Sequence, residues 1–315
     1  MRDAGRESHV SREARAARLP ARSEWPTWAL LIVTYGAWGW ATTAGAGLHL
    51  GLAALITIVC GALHSSLTHE ALHGHPTRWA WVNATLVFPA LSVAVPYLRF
   101  KDTHLAHHQD ACLTDPYDDP ETNFRDPAIW ARMSKVQQAV CLINNTLLGR
   151  MVLGPLLGQV AFMAADWRLI RGGDRRVLLG WLLHIPAVAV VLAWMIWLAA
   201  MPMWLFAVCV YGSLALLKIR TFLEHRAHEK ARARTVIVED RGPLALLFLN
   251  NNLHAVHHMH PRVAWYQLPA LYRRHKARFQ RCNDSYIYRS YAEIFRHYSW
   301  RAKDPVAHPL WQRDP

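Results

Sequence analysis

Four stretches of the chain are apolar and free of Lys, Arg, Asp and Glu: 28–46, 48–67, 177–200 and 203–217. About 20 such residues cross the ~30 Å hydrocarbon core of a bilayer. The fourth stretch is short and extends to Ile219 with Lys218 snorkelling. Two further apolar runs are broken ones. Pro89 and Pro96 interrupt 79–98; Asn144, Asn145, Arg150, Gly154 and Pro155 interrupt 140–165. The links inside the two close pairs are tiny and carry no Lys or Arg: Gly45 and Gly47 in one, Met201 and Pro202 in the other. The long loops are basic, and 262–301 alone holds nine Lys or Arg against Asp284 and Glu293. Loops rich in Lys and Arg stay on the cytoplasmic side. The pattern therefore predicts two helical hairpins that dip into the membrane and return, with both termini and all long loops cytoplasmic.

Composition agrees with that pattern. Apolar residues make up 53% of the 315 and charged residues only 18%, against about 25% charged in a typical globular chain. This excludes a disordered chain, a collagen and a coiled coil. The 15 Trp suit interfacial aromatic belts. The net charge of +13 sits beside membrane segments, which favours anionic lipid headgroups over nucleic acid as its counterpart. Residues 1–24 read as a mobile Arg-rich tail, 25–302 as a single membrane domain and 303–315 as a C-terminal tail. Cys60, Cys112, Cys141, Cys209 and Cys282 are widely separated. They suit neither a disulfide framework nor a cluster site, and are expected to be small apolar packing residues.

The 19 His are the second signal. His69 and His73 form HxxxH. His104, His107 and His108 form HxxHH, and His254, His257 and His258 form it again. His225 stands alone after the fourth crossing. On a helix, residues three and four apart share a face, so each HxxHH offers two imidazoles on one side and a third turned about 100° away, able to reach a second centre. Tight clusters of imidazoles need a reason, because protonated ones repel and neutral ones need partners. Nine are too many for one ion and suit two ions with four or five ligands each; imidazole alone does not name the metal. If all boxes serve one site, an even number of crossings must separate them. Runs 79–98 and 140–165 are therefore expected to lie in the membrane plane or to re-enter. His64, His75, His228 and His260 flank the boxes and read as outer partners or solvated groups. His9, His49, His184, His275, His297 and His308 read as having no role in the site.

These motifs, in this order, resemble the membrane-bound fatty acid desaturase family, whose histidine boxes are shared with alkane hydroxylases and carotenoid ketolases. The resemblance covers roughly 28–300. The segment NNLHAVHHMHPRVAWYQLP, 251–269, is similar to the family's third box and its tail. It implies an all-α integral membrane enzyme with four transmembrane helices, in-plane or re-entrant segments and a cytoplasmic helical cap. It further implies a non-haem di-iron centre held by His69, His73, His104, His107, His108, His225, His254, His257 and His258. O₂ would be the co-substrate, and electrons would come from an external carrier (ferredoxin, rubredoxin or cytochrome b5-like) with its reductase. An acyl or lipid substrate would enter from the bilayer, in what is expected to be a bacterial inner membrane. Some members place an Asn near the lone His to hold a water; here Thr221 lies four residues before His225.

Asp110, Glu224, Asn250 and Asn251 are candidates to hold the outer nitrogens of the ligating imidazoles. The acidic run 114–121 reads as a Pro-kinked surface loop. Three other readings compete. The same ligands would serve a hydroxylase or ketolase acting on a carotenoid or alkane. His69, Glu70 and His73 also match the HExxH of zinc metalloproteases, with Glu70 as base. A metal transporter would place polar groups within the crossings, whereas here the boxes lie outside the spanning runs, which are nearly free of charge.

Overall fold

The computed structural model of the chain describes residues 24–108 and 110–311. The expected tail 1–24 therefore lies outside the described residues but for Glu24. That residue is buried and pairs with His75 Nδ1 at 2.6 Å, so Glu24 is part of the folded unit.

The helices, in chain order, are α1 (Trp25–Trp40), α2 (Leu50–Leu72), α3 (Ala80–Leu86), α4 (Tyr97–His107), α5 (Pro127–Arg132), α6 (Lys135–Asn144), α7 (Leu147–Arg171), α8 (Arg175–Trp197), α9 (Met203–Thr221), α10 (Pro243–Leu247), α11 (His254–Met259), α12 (Leu268–Cys282) and α13 (Tyr291–Tyr298). Two short parallel strands, β1 (Ile237–Val238) and β2 (Ile287–Tyr288), pair Ile237 with Ile287.

Among the described residues, four helices are long and apolar enough to cross a membrane: α2, α7, α8 and α9. Three of them fall on expected crossings. The first expected crossing is α1 continued by a π-helical turn (Ala41–Gly45) and a short α segment (Ala46–Leu48). The widened turn exposes the Thr42 carbonyl, which accepts the N–H groups of Ala200 and Met201 at 2.9 and 3.0 Å. Trp194 Nε1 donates to Thr42 Oγ1 at 3.0 Å. The tips of the two hairpins are thus fastened together around Trp38, Cys60, Val191, Met195 and Phe206. Close approach of α2 and α9 depends on Gly61, where a Cβ would come within 2.3 Å of Ser213 Oγ.

The run 140–165 is less interrupted than its sequence suggests. α6 ends at Asn144, and α7 then runs unbroken through Gly154 and Pro155 to Arg171. One proline removes one helical N–H, and the rest of a 25-residue helix holds. Both ends of α7 are tied to the histidine-bearing half. Leu148 N–H donates to the Ser299 carbonyl, and Arg176, just beyond the other end, pairs with Asp102 of α4 at 2.7 Å. Run 79–98 forms only the short α3 followed by turns, and α4 starts after Pro96.

The outward faces of α1, α2, α7, α8 and α9 carry exposed Ile32, Leu55, Val160, Ile185, Ile196 and Val208. Contiguous apolar surface of this kind belongs against lipid. The cap is built from α10 to α13 and the two strands. One core joins it to α9 through Ile219, Phe222, Leu223, Phe248 and Ile294; another backs α11 through Ile237, Val256, Leu268 and Phe279. The expected C-terminal tail, as far as it is described, packs against the segment before α5: Val306 is buried, and residues 306 and 308 form backbone bonds with Arg125. Cys60 and Cys209 are buried, Cys112, Cys141 and Cys282 half-buried, and all five are free thiols.

Candidate metal centre

The three boxes reach one place by three routes. α2 ends at Leu72 and delivers His69 and His73 from its last turn. α4 carries His104 and His107, with His108 as its cap. α11 carries His254, His257 and His258 and follows a turn in which Leu249 and Asn250 have φ of 50° and 55°. Left-handed backbone is unfavourable for Leu and easier for Asn. Its cost is offset by burial of Leu249 and by Asn250, whose amide donates to the Trp265 carbonyl at 3.1 Å. His225 sits in the link after α9, bridged to Thr235, with its carbonyl bonded by Lys303.

All nine imidazoles converge, and they divide into two groups. His69, His73, His104, His108 and His257 form one; His107, His225, His254 and His258 form the other. Within each group the candidate donor atoms lie within 4.8 Å of one another. Each HxxHH box gives its (i, i+4) pair to one group and its remaining histidine to the other. The Nε2 atoms stand close: His108 to His104 at 2.9 Å, His73 to His104 at 3.2 Å, His107 to His225 at 2.8 Å and His254 to His225 at 3.2 Å. Metal–imidazole bonds of about 2.0–2.1 Å place neighbouring nitrogens roughly 3 Å apart. Inside the first group His69 Nε2 is buried and, among the described residues, has no hydrogen-bond partner, as a nitrogen kept for a metal would be. The donor set fits two metal ions.

Electrostatics favour neutral ligands. Burial first, then the neighbouring imidazoles, hold His73, His225, His254 and His257 well below the ordinary histidine range, and His108 behaves alike. Neutral imidazole is the form that binds metal. His107 differs. Burial pulls it down, but Glu121 and Asp119 carry it up to about 9. Burial also pushes Glu121 up, yet His107 and His104 hold it well below the usual carboxylate range. Burial raises Glu224.

The outer nitrogens show what sequence reasoning missed. His107 Nδ1 meets Asp119 Oδ1 at 2.7 Å, and His104 Nδ1 meets Glu121 Oε1 at 3.0 Å. Both acids belong to the run 114–121 expected to be a surface loop. Instead Asp119 is buried, and it also accepts the N–H groups of Thr114 and Glu121, each at 2.9 Å. The loop folds over the centre because two of its own amides and His107 satisfy that carboxylate, while Glu121 meets His104. Of the candidates named from sequence, Asn251 Oδ1 lies 3.0 Å from His254 Nδ1, and Glu224 lies 3.7 Å from the same nitrogen. Asn250 serves the turn rather than a ligand. The side chain of Asp110 lies outside the described ones. Thr221 lines the cavity beside His225.

The flanking histidines are engaged elsewhere. His64 meets the Tyr35 hydroxyl at 3.0 Å, and His228 meets Asp284 at 3.2 Å. His184 bonds the Val93 carbonyl, and His308 meets Thr114 Oγ1 at 3.1 Å. Glu70, the base in the protease reading, accepts the Trp265 N–H at 3.2 Å. It pins the tail of the third box to α2, and the two HxxHH boxes that reading leaves unexplained are part of the same centre.

A cavity of about 1200 Å³ adjoins the centre. It runs from Ser65, Thr68 and Phe88 to Glu121, Thr221 and His225, long enough in volume for an acyl chain. No individual curated protein matches the chain significantly. The profile of the family described as fatty acid desaturase matches residues 46–290. With its apolar helices and its clustered histidines, the chain is an integral membrane oxidoreductase and belongs to the fatty acid desaturase family.

Proposed function

We propose that the protein desaturates the acyl chain of a membrane lipid, using O₂ at two iron ions held by the nine histidines. The carrying observation is the division of nine imidazoles into adjoining groups of five and four beside a chain-sized cavity. His69, His73, His104, His108 and His257 would hold one ion, and His107, His225, His254 and His258 the other. Bound iron supplies the oxidising power for removing hydrogen from an unactivated C–H bond. The chain's own residues do the rest. Asp119, Glu121 and Asn251 fix the tautomers of His107, His104 and His254, so that Nε2 faces inward. Leu98, Phe100 and Leu217 give the cavity an apolar wall that orients the chain and excludes water. Substrate enters from the bilayer between the helices. Electrons reach the centre from a separate carrier protein with its reductase; the basic surface of α12 (Arg273, Arg274, Lys276, Arg278 and Arg281) suits an acidic one. The site is assigned to the cytoplasmic side of a bacterial inner membrane, by the basic character of the loops that carry it.

Metal analysis of the purified protein, together with lipid profiling of cells that express it, tests this reading. Two irons per chain and a new unsaturated acyl species support it. Two irons with a hydroxylated or keto product would keep the centre and replace the reaction. One zinc and an unchanged lipid profile would overturn it.

A further inference from the structure

The cavity is not apolar throughout. At the end formed by α6, α7 and the last turns of α9 it is lined by Asn144, Arg150, Lys218, Arg220 and Lys303. Most charges around the cavity are accounted for. Arg99 pairs with Asp166 at 2.8 Å, Lys303 with Asp304 at 2.9 Å and Arg220 with Glu224 at 3.4 Å. Two inward cations are not. Arg150 is 5% exposed. Its side chain donates from Nε to the Asn144 carbonyl at 2.6 Å and stacks on Phe222; among the described residues it meets no carboxylate. Half-buried Lys218 has no hydrogen bond or ion pair there either. Glu121 and Glu224 act on it through space, but each is already engaged, with His104 and with Arg220. The Nε of Arg220 is a further buried donor without a hydrogen-bond partner among the described residues.

Space is kept for these groups. A Cβ on Gly154 would come within 2.9 Å of Arg150 Cδ, and one on Gly158 within 3.5 Å of Lys218 Nζ. The two glycines lie one turn apart on the same face of α7, and they open the concavity into which both cations reach. Burying an uncompensated charge costs several kcal/mol. This end of the cavity is therefore strongly positive and equipped with donors.

We propose that Arg150, Lys218 and Arg220 Nε form a subsite for an anionic group, a carboxylate or a phosphate, carried by the acyl substrate into the cavity. The inference rests on the reading of this cavity as the substrate cavity. It narrows the substrate from lipids in general to acyl chains whose charged end is bound inside the protein, close to the metal centre. A neutral carotenoid or alkane would leave both cations buried and unanswered.

The test is equilibrium binding to the purified full-length protein, metal-free and in detergent, with stearate, octadecyl phosphate and octadecanol as probes. At least one anion should bind about tenfold or more tightly than the alcohol, as expected for charge-assisted hydrogen bonds. Arg150→Gln and Lys218→Met should each remove most of that preference and leave octadecanol affinity unchanged, whereas Arg150→Lys should retain part of it. Gly154→Ala, which displaces Arg150, should weaken both anions. A preference for stearate identifies a carboxylate and a preference for octadecyl phosphate a phosphate; either supports the subsite. Wild-type protein that binds the alcohol as tightly as both anions overturns it, whatever the variants do. Because the assay uses neither iron nor turnover, failure of the subsite is distinct from failure of the proposed reaction, which would show in metal content and lipid products.

Discussion

Replacing Asp119 with Asn should loosen one metal ion and not the other. The carboxylate has three donors to satisfy. Oδ1 faces His107 Nδ1 at 2.7 Å and Glu121 N–H at 2.9 Å, and Oδ2 faces Thr114 N–H at 2.9 Å. An amide has one oxygen, so either way round it sets an NH₂ group against at least one N–H. It also withdraws the charge that fixes the His107 tautomer. Losing such an outer partner typically lowers metal affinity ten- to a hundredfold, about 1.4–2.7 kcal/mol. His107 belongs to the four-histidine group, so the loss should fall there. Glu121→Gln acts through His104 and should weaken the five-histidine group instead. The assay is release of iron from loaded protein to an excess of chelator, followed as two phases. The faster phase in Asp119→Asn should carry one equivalent and leave the other at the wild-type rate, with the opposite pattern in Glu121→Gln. Equal acceleration of both phases in either variant, or unchanged release in both, would refute the two-group reasoning.

Other outcomes follow from the same structure. Arg99→Met strands Asp166, which is buried and also accepts from Trp181 Nε1 at 2.9 Å; the cost should be about 3–5 kcal/mol, a fall in thermal midpoint on the order of 10 °C. Adding Asp166→Leu should restore most of the loss, and a double variant as unstable as the single would contradict the charge argument. In the metal-free protein His73, His225, His254 and His257 are held neutral below the ordinary range, chiefly by burial. Unfolding lets them take up protons, so their contribution is complete above about pH 6.5 and falls as pH drops below it. His107, raised to about 9, works the other way: its contribution is complete below 6.5 and lost as pH rises through 9. The four outweigh the one, and the midpoint should fall between pH 7.5 and 5; a flat profile would show that the cluster is not buried neutral. Changing His107, His108, His257 or His258 singly to Ala should abolish product formation while the protein stays inserted in the membrane, and activity in two of the four would sink the ligand assignment.

The hairpins and the boxes were legible because each rests on a local period: uncharged runs of about 20 residues, and histidines three and four apart. The same spacing explains the division into five and four, since an (i, i+4) pair and its intervening neighbour must face different ways. What escaped depends on chain folding at longer range. Asp119 and Glu121 sit among Asp115, Asp118 and two prolines, a composition that reads as solvent-facing; only the closed loop shows these two carboxylates turned inward. Glu24 read as tail until its partner, 51 residues away, was in place. Asn250 adjoins Asn251 in sequence, but left-handed backbone turns the two amides to different tasks. The π turn at Ala41–Gly45 has no sequence signature of its own; it follows from the bonds that Thr42 makes to the other hairpin.

The exchange of histidines between the boxes fixes a length. His104 and His108 serve one group and His107 the other, and all three ride on the last turn of one short helix and its cap. The offset between the two histidine groups is therefore set by the rise and rotation of the α-helix itself, about 1.5 Å and 100° per residue, and α11 imposes the same ruler from the opposite side. Loops around the centre can lengthen, and the cavity can be reshaped for other chains, without changing that separation. The shape of the cavity and the spacing of the two histidine groups are thus separable properties in this architecture, the first open to loop variation and the second held by helical geometry.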